Sequence, residues 1–366
     1  MKITKVEAIP FHLPFDPTLH LKFAYRTSTG AYHVLVRIYT DEGIVGVSEA
    51  PARPEIYGET QGSIVSIVDE YLGPYILGKD PSNLEEIHVL LDHIPYNFCA
   101  KASIDIALHD ILGKCLNVPI HRILGGKRRD FVPLSWMVGI NCREKMVKEC
   151  ERFSSLGIHA FKIKAGLNFE EDLDTFVAIR KTLGDNALLY VDANQGYTDI
   201  KKAIDYINKL AEHGLAWIEE PFPVERRRGR LEASRRIHVP LAGDESCFTP
   251  NDVTREIELG AVGIVLLKVA RTGFYRTKKI LTICQQAGLP CLVGSQGDSS
   301  LGAAASLHVA VAFPNILFPA EVSYHMRMKA DLLAEPLVFQ NGSLLVPEKP
   351  GLGVAIDEEA LKKFRG

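Results

Sequence analysis

Three stretches decide the fold: Ala187-Leu188-Leu189-Tyr190-Val191-Asp192, Leu215-Ala216-Trp217-Ile218-Glu219 and Val239-Pro240-Leu241-Ala242-Gly243-Asp244. Each is a short apolar run that ends in an acid, and the acids stand 27 and 25 residues apart. That interval suits a strand, a helix and two turns. Read as neighbouring strands of a parallel barrel, the runs bring Asp192, Glu219 and Asp244 to the C-terminal rim, where such barrels carry their active sites. Three carboxylates cannot stay ionised together in a dry cleft without a cation, so the cluster predicts bound Mg²⁺ or Mn²⁺.

Working outward, eight candidate strands emerge: Phe131–Ile140, Ala160–Lys164, Ala187–Asp192, Ala216–Glu219, Pro240–Asp244, Gly263–Lys268, Pro290–Gly294 and Ile316–Pro319. Most alternate with segments of helical period, such as Glu171–Leu183 and Ile200–His213. Alternating β and α with two-sided apolar strands calls for a parallel sheet with helices outside, and eight units close a barrel. The first third reads differently. A strand covers residues 1–14, a hairpin turns at Asp41-Glu42-Gly43, and a helix runs from Phe98 to Leu116 with Ala100, Ile104, Ala107, Leu108 and Ile111 along one face. The fold class is therefore α/β. An α+β capping domain (1–126) precedes a (β/α)8-type barrel (127–320), and a turn-rich segment (321–366) packs back on the capping domain.

Bulk properties narrow the function. Hydrophobic residues make up 46% of the 366, which implies a large ordered core. A net charge of -3 gives no electrostatic case for nucleic acid. No apolar run is long enough to span a bilayer, and the start at Met1 lacks a secretory pattern, so a cytoplasmic protein is expected. Seven cysteines without a C-x-x-C pair read as buried thiols rather than disulfides. The basic run Arg226-Arg227-Arg228-Gly229-Arg230 reads as a solvated helix face or a subunit contact.

Two lysines bracket the acids. Lys162 and Lys164 end the second barrel strand and, with period two, point to one face. Neighbouring ammonium groups are expected to depress each other's pKa, which makes one a usable base. Lys268 ends the sixth strand, on the other side of the acids. A base on each face of a bound substrate suits proton transfer at one carbon beside a carboxylate. Metal and lysine charges would stabilise the resulting enediolate.

Taken together, Lys162-x-Lys164, Val191-Asp192-Ala193-Asn194, Ile218-Glu219-Glu220-Pro221, Gly243-Asp244-Glu245-Ser246 and Lys268 resemble the enolase superfamily, and within it the muconate-lactonising (muconate cycloisomerase) subgroup. Ala102-Ser103-Ile104-Asp105-Ile106-Ala107 and Ile123-Leu124-Gly125-Gly126 match that family's domain junction, so the resemblance covers essentially the whole chain. It implies Asp192, Glu219 and Asp244 as Mg²⁺ ligands, Lys164 and Lys268 as acid/base groups, and Lys162 as a contact to substrate carboxylate that tunes Lys164. It implies Asn194 and Glu245 as supporting polar groups and a homo-oligomer acting on a small-molecule carboxylate. Substrate selectivity would lie in the stretches around residues 20–30 and 51–60, with Arg26 and Tyr57 as candidate contacts.

The chain also departs from the pattern. Dipeptide epimerases of the subgroup carry an Asp-x-Asp pair after the eighth strand; here Glu321-Val322-Ser323 keeps one acid, leaving Glu321 as a candidate substrate contact. Phe274 stands where a second glycine is common. No histidine follows the seventh strand, so the His–Asp dyad of the mandelate racemase subgroup is not expected. An isomerase (racemase, epimerase or cycloisomerase) leads. A β-elimination dehydratase on the same scaffold and a Schiff-base aldolase using Lys268 are the rivals.

Overall fold

The computed structural model describes residues 1–24 and 26–365. Its first element, β1 (Ile3–Pro14), pairs antiparallel with β2 (Gly30–Thr40), which pairs antiparallel with β3 (Val45–Pro51). Gly43 sits at φ 77 in the turn between β2 and β3, a conformation open to glycine. Against this sheet packs α1 (Phe98–Cys115), within a residue of the expected helix. Burial is not confined to one face, however. Lys101, Asp105, His109 and Asp110 are buried as well, because the sheet lies on one side and a barrel helix on the other.

The barrel strands are β4 (Ser135–Val138), β5 (Ala160–Lys164), β6 (Leu188–Asp192), β7 (Leu215–Glu219), β8 (Leu241–Gly243), β9 (Ile264–Leu267) and β10 (Cys291–Val293). Among the described residues they form one seven-stranded sheet in chain order, with every pairing parallel. Two expectations need correction. Phe131–Ile140 is not one strand: Phe131–Pro133 turns away to pair antiparallel with Ser343–Leu345, and only β4 joins the barrel. Pro133 lacks the N–H that a continuing ladder requires. The eighth strand, Ile316–Pro319, is reduced to bridges between Cys291 and Ile316 and between Leu134 and Ala320. Pro314 and Pro319 flank it and cannot donate. Even so, the segment closes the curl, since Leu317 N bonds Cys291 O at 3.3 Å on one edge and Ser135 N bonds Ala320 O at 2.8 Å on the other.

Alternation explains what the barrel holds. Tyr190, Trp217, Ala242, Leu266 and Leu292 belong to one buried apolar layer. Two residues onward on the same strands come Asp192, Glu219, Asp244, Lys268 and Gly294, so the charged layer sits directly above the apolar one. The C-terminal segment returns to the first sheet through a bridge between Phe11 and Arg365 and an Arg37–Glu358 ion pair of 2.6 Å.

One of the ties between the two halves is made at the helix that follows β9. After β9, α2 (Val269–Gln286) breaks at Gly273, φ 60, and resumes at Phe274. Asp105 of α1 accepts from the N–H groups of Phe274 and Tyr275, acting as a cap supplied by the other domain. The same carboxylate bonds His88 Nε2 at 2.7 Å and lies 3.4 Å from His109 Nδ1. At Phe274 it is the backbone N–H that is capped, so this contact does not depend on the side chain.

The α1–β3 contact sets a test. A Cβ on Gly46 would overlap the carbonyl of Ala107 and the side chain of Ile111. Gly46→Ala is expected to lower unfolding free energy by about 1–3 kcal/mol in urea titrations; a change within experimental scatter would show that α1 does not pack as described.

Candidate active site

The charged layer is dense. Lys162, 1% exposed, bonds Glu219 Oε1 at 2.7 Å and Glu321 Oε2 at 3.1 Å, and lies 3.2 Å from Asp192 Oδ2. Lys164 pairs with Asp192 and donates to Asn194 Oδ1 at 2.9 Å. Across the barrel mouth, Lys268 pairs with Asp244, whose second oxygen is held by Arg271. Asn194 in turn reaches Glu245 Oε1 at 3.4 Å. The structure therefore brings together Lys162, Lys164, Lys268, Asp192, Glu219, Asp244, Asn194, Glu245 and Glu321.

Burial and charge set their protonation. Burial would raise the Asp192 carboxyl, but Lys164 and Lys162 outweigh it and hold it down at about 2. Asp244 is likewise held low by Lys268 and Arg271 against burial. Glu219 is driven well up by burial and by the charge of Asp192, since several acids share Lys162. Glu245 is pushed to about 8 by burial and by the charges of Asp244 and Asp192. Lys162 corrects the expectation of mutual depression between the two lysines. Burial lowers its pKa, yet Glu219, Glu321 and Asp192 lift it well above the ordinary lysine value.

Three features bear on a cation. The donors are carboxylate oxygens, the ligands hard divalent ions take. Glu219 Oε2 and Glu245 Oε2 are buried without a hydrogen-bond partner among the described residues, although Lys162 stands within ion-pair distance of the former. Burial first, and then the charge of neighbouring acids, hold the Glu219 and Glu245 carboxyls above their usual range, so added positive charge would favour their ionised form. Among the described residues no three His, Cys, Asp or Glu side chains are gathered into a cage, because Asp192, Glu219 and Asp244 are each drawn to a lysine. The donor set fits a divalent cation; the side-chain arrangement is the ion-paired one.

The loop candidates divide. Arg26 lines the pocket over the lysines, but its guanidinium is paired with Glu55 at 2.6 Å and bonds Ser28 Oγ at 3.2 Å. Tyr25, in the same stretch, lies outside the described residues. Tyr57 stands behind the pocket wall, against Phe98 and Phe248, and its hydroxyl accepts from Gln296. Glu321 is 2% exposed and is committed to Lys162 and to the hydroxyl of Tyr190 at 2.9 Å. Phe23 lies over the site, with Lys164 Nζ 4.8 Å from its ring centre.

Sequence reasoning missed Arg271 and Arg53. Arg271 follows Lys268 by three residues, the spacing that returns a side chain to the same end of a helix, and this was a usable signal. Arg53 gave none. The basic run also splits: Arg226, Arg227 and Arg228 are exposed as expected, whereas Arg230 is fully buried between Glu220 and Glu256.

Known proteins match this chain along its length. Residues 7–125 match the family described as mandelate racemase/muconate lactonizing enzyme, N-terminal domain, and residues 145–360 match the enolase C-terminal domain-like family. N-succinyl-L-Arg/Lys racemase of Bacillus cereus is 30% identical, covering 100% of this chain and 98% of the relative. Muconate cycloisomerase 1 of Rhodococcus opacus is 32% identical, covering 94% and 93%. The crystal structure of muconate lactonizing enzyme from Mycobacterium smegmatis with muconolactone superposes with a TM-score of 0.96 at 36% identity, covering 100% of both chains.

At the edge of the site, Asp298 provides a test. Its Oδ2 has no partner among the described residues, and burial followed by the charge of Glu49 raises its pKa from 3.8 to about 6. An acid with a raised folded pKa keeps its proton better when folded, so its contribution to stability falls as pH climbs from 3.8 to about 6. Asp298→Asn is expected to remove that fall and to be more stable than wild type near neutral pH, by on the order of 2 kcal/mol. Urea unfolding at about pH 4 and about pH 7 measures this; no gain at the higher pH would refute it.

Proposed function

Because this chain belongs to the mandelate racemase/muconate lactonizing enzyme family of the enolase superfamily, we propose that it is an isomerase that removes a proton α to a substrate carboxylate with one lysine and returns it with another. The observation that carries this reading is the placement of Lys164 and Lys268 on the second and sixth barrel strands, with the acids of the third, fourth and fifth between them. The relatives support the class: one is named as a racemase, another as a cycloisomerase.

In this reading Lys164 takes the proton from one face and Lys268 serves the other. Both amines are sheltered from water, with Lys164 4% and Lys268 7% exposed, so a proton placed on either is returned to substrate rather than lost. Lys162, kept protonated by its acids, supplies a fixed positive charge beside the substrate carboxylate as that group takes up the electrons. Asn194 orients Lys164 through the 2.9 Å bond. Asp192, Glu219 and Asp244 would hold Mg²⁺ or Mn²⁺, which would supply positive charge to the substrate carboxylate. The dehydratase remains the nearest rival, because either lysine could protonate a β leaving group from the same intermediate. The Schiff-base aldolase using Lys268 is the second rival, and borohydride trapping with substrate that EDTA leaves unaffected would favour it. The substrate is taken to be a small carboxylate and the enzyme a homo-oligomer, both by family resemblance.

The test is α-proton exchange from D₂O over a panel of hydroxy and amino acid derivatives with Mg²⁺ present. Exchange with inversion is expected for a racemase or epimerase; loss of water would point to the dehydratase, and lactone formation from a diene diacid to the cycloisomerase. Lys164→Ala and Lys268→Ala should each slow the reaction by about 10²–10⁴-fold, and EDTA should abolish it reversibly. If neither lysine variant changes the rate, the acid/base assignment is wrong.

A further inference from the structure

We propose that Asp172 is a positioning residue for Lys164: its carboxylate clips together the two rim turns that carry Lys164 and Asn194, and so serves proton transfer on one face of the substrate only. This rests on the two-lysine reading above and adds a residue that acts through the backbone. β5 ends at Lys164, and the chain leaves it through Ala165 and Gly166. The Gly166 N–H donates to Asp172 Oδ2 at 2.9 Å. The same oxygen accepts at 3.4 Å from the hydroxyl of Tyr197, which belongs to the turn that follows β6. Asp172 is itself fixed, because it lies one turn into the helix Phe169–Leu183 and its own N–H bonds Asn168 O at 2.9 Å. One half-buried carboxylate on a regular helix thus holds two irregular turns from adjacent strands. It does not line the pocket over the lysines, but a neighbouring cleft of about 250 Å³ with Ala165 and Val191.

The two turns leave each other little slack. Gly166 sits at φ 108, and a Cβ there would stand 2.6 Å from Ala193 O. A Cβ on Gly196 would in return stand 2.6 Å from Gly166 O. Asn194 and Gln195 lie at φ 43 and 65, a conformation that residues with side chains keep only where the surroundings impose it. Asn194 is also the residue whose Oδ1 holds Lys164 Nζ at 2.9 Å. A slip of one turn against the other would therefore move the amine relative to the amide that orients it. Displacement of a reacting group by about 1 Å can cost on the order of 10²-fold in rate.

Lys268 is held by other means. Its carbonyl accepts from the N–H groups of Arg271 and Thr272 and from Thr272 Oγ1, all in α2, which begins at the next residue. Among the described residues, the hydrogen bonds of the Asp172 carboxylate reach only the segments that follow β5 and β6. Loss of the clip is therefore expected to be felt at Lys164 and not at Lys268.

Two measurements test this. Hydrogen exchange read by mass spectrometry needs no substrate: in Asp172→Ala the peptide carrying Gly166 should exchange about 10-fold faster or more, whereas Asp172→Asn, whose amide oxygen can accept the same bond, should stay near wild type. The second is exchange from D₂O into the separate enantiomers of the panel compounds, the Lys164 face being the one that Lys164→Ala silences. On that face Asp172→Ala should lower kcat about 10–100-fold with KM within about 3-fold, while exchange on the other face stays within about 3-fold. Tyr197→Phe, which removes one donor and keeps the ring, should slow the same face by about 2–5-fold and covers the case of an alanine variant that fails to fold. Unchanged exchange at Gly166, equal losses on both faces, a loss confined to KM, or Asp172→Asn as impaired as Asp172→Ala would overturn the proposal. A wild type that exchanges no panel compound would refute the lysine reading and with it the catalytic consequence, whereas the Gly166 measurement would still confirm or refute the clip.

Discussion

Lys162 lies among three carboxylates in the interior of a barrel, where each ion has lost several kcal/mol of hydration. Such a group is tolerable only when every partner is held in place, and this requirement reaches well beyond the site. Two of the three acids come from barrel strands. The third, Glu321, comes from the irregular segment that bridges the first and last strands. Closing the sheet and balancing Lys162 are therefore accomplished by the same stretch of chain. The apolar layer of Tyr190, Trp217 and Leu266 below contributes as well, because it lowers the local dielectric and strengthens each ion pair above it.

Much of this was legible in sequence because alternation is a strict geometric rule. Once the runs ending at Asp192, Glu219 and Asp244 were read as strands, their side chains had to share the barrel interior with Lys162, Lys164 and Lys268. What failed were features set by partners distant in sequence. The division of the first strand at Pro133 depends on pairing with Ser343–Leu345, some two hundred residues onward. The pKa of Lys162 was expected to fall because the charge of Lys164 was weighed and direct ion pairs with Glu219, Glu321 and Asp192 were not. Glu321 was read as facing the substrate because the strand-end motif was visible and its ion pair was not.

The arginines show the same limit. Arg26 drew attention as a cation in a loop over the site, yet Glu55, 29 residues away, takes up its charge. Arg53 looked unremarkable beside Pro54. Its partner, the carbonyl of Gln296, lies 243 residues onward and leaves no mark in a linear pattern. Arg230 is the converse case: a residue in a basic run whose apparent solvent-facing role is reversed by two buried acids.

The carboxylate of Asp105 is shared between His88, His109 and the start of the helix that follows Lys268. It therefore fixes the N-terminal domain to the barrel at the segment that follows Lys268. Swinging that whole domain away to admit a ligand would strip two backbone amides of their acceptor and leave an acid buried without its donors. The capping-domain residues that line the pocket, Phe23, Arg26, Arg53, Glu55 and Ile56, come from segments other than α1. Such an arrangement keeps the joint that anchors the domain separate from the residues that face the pocket.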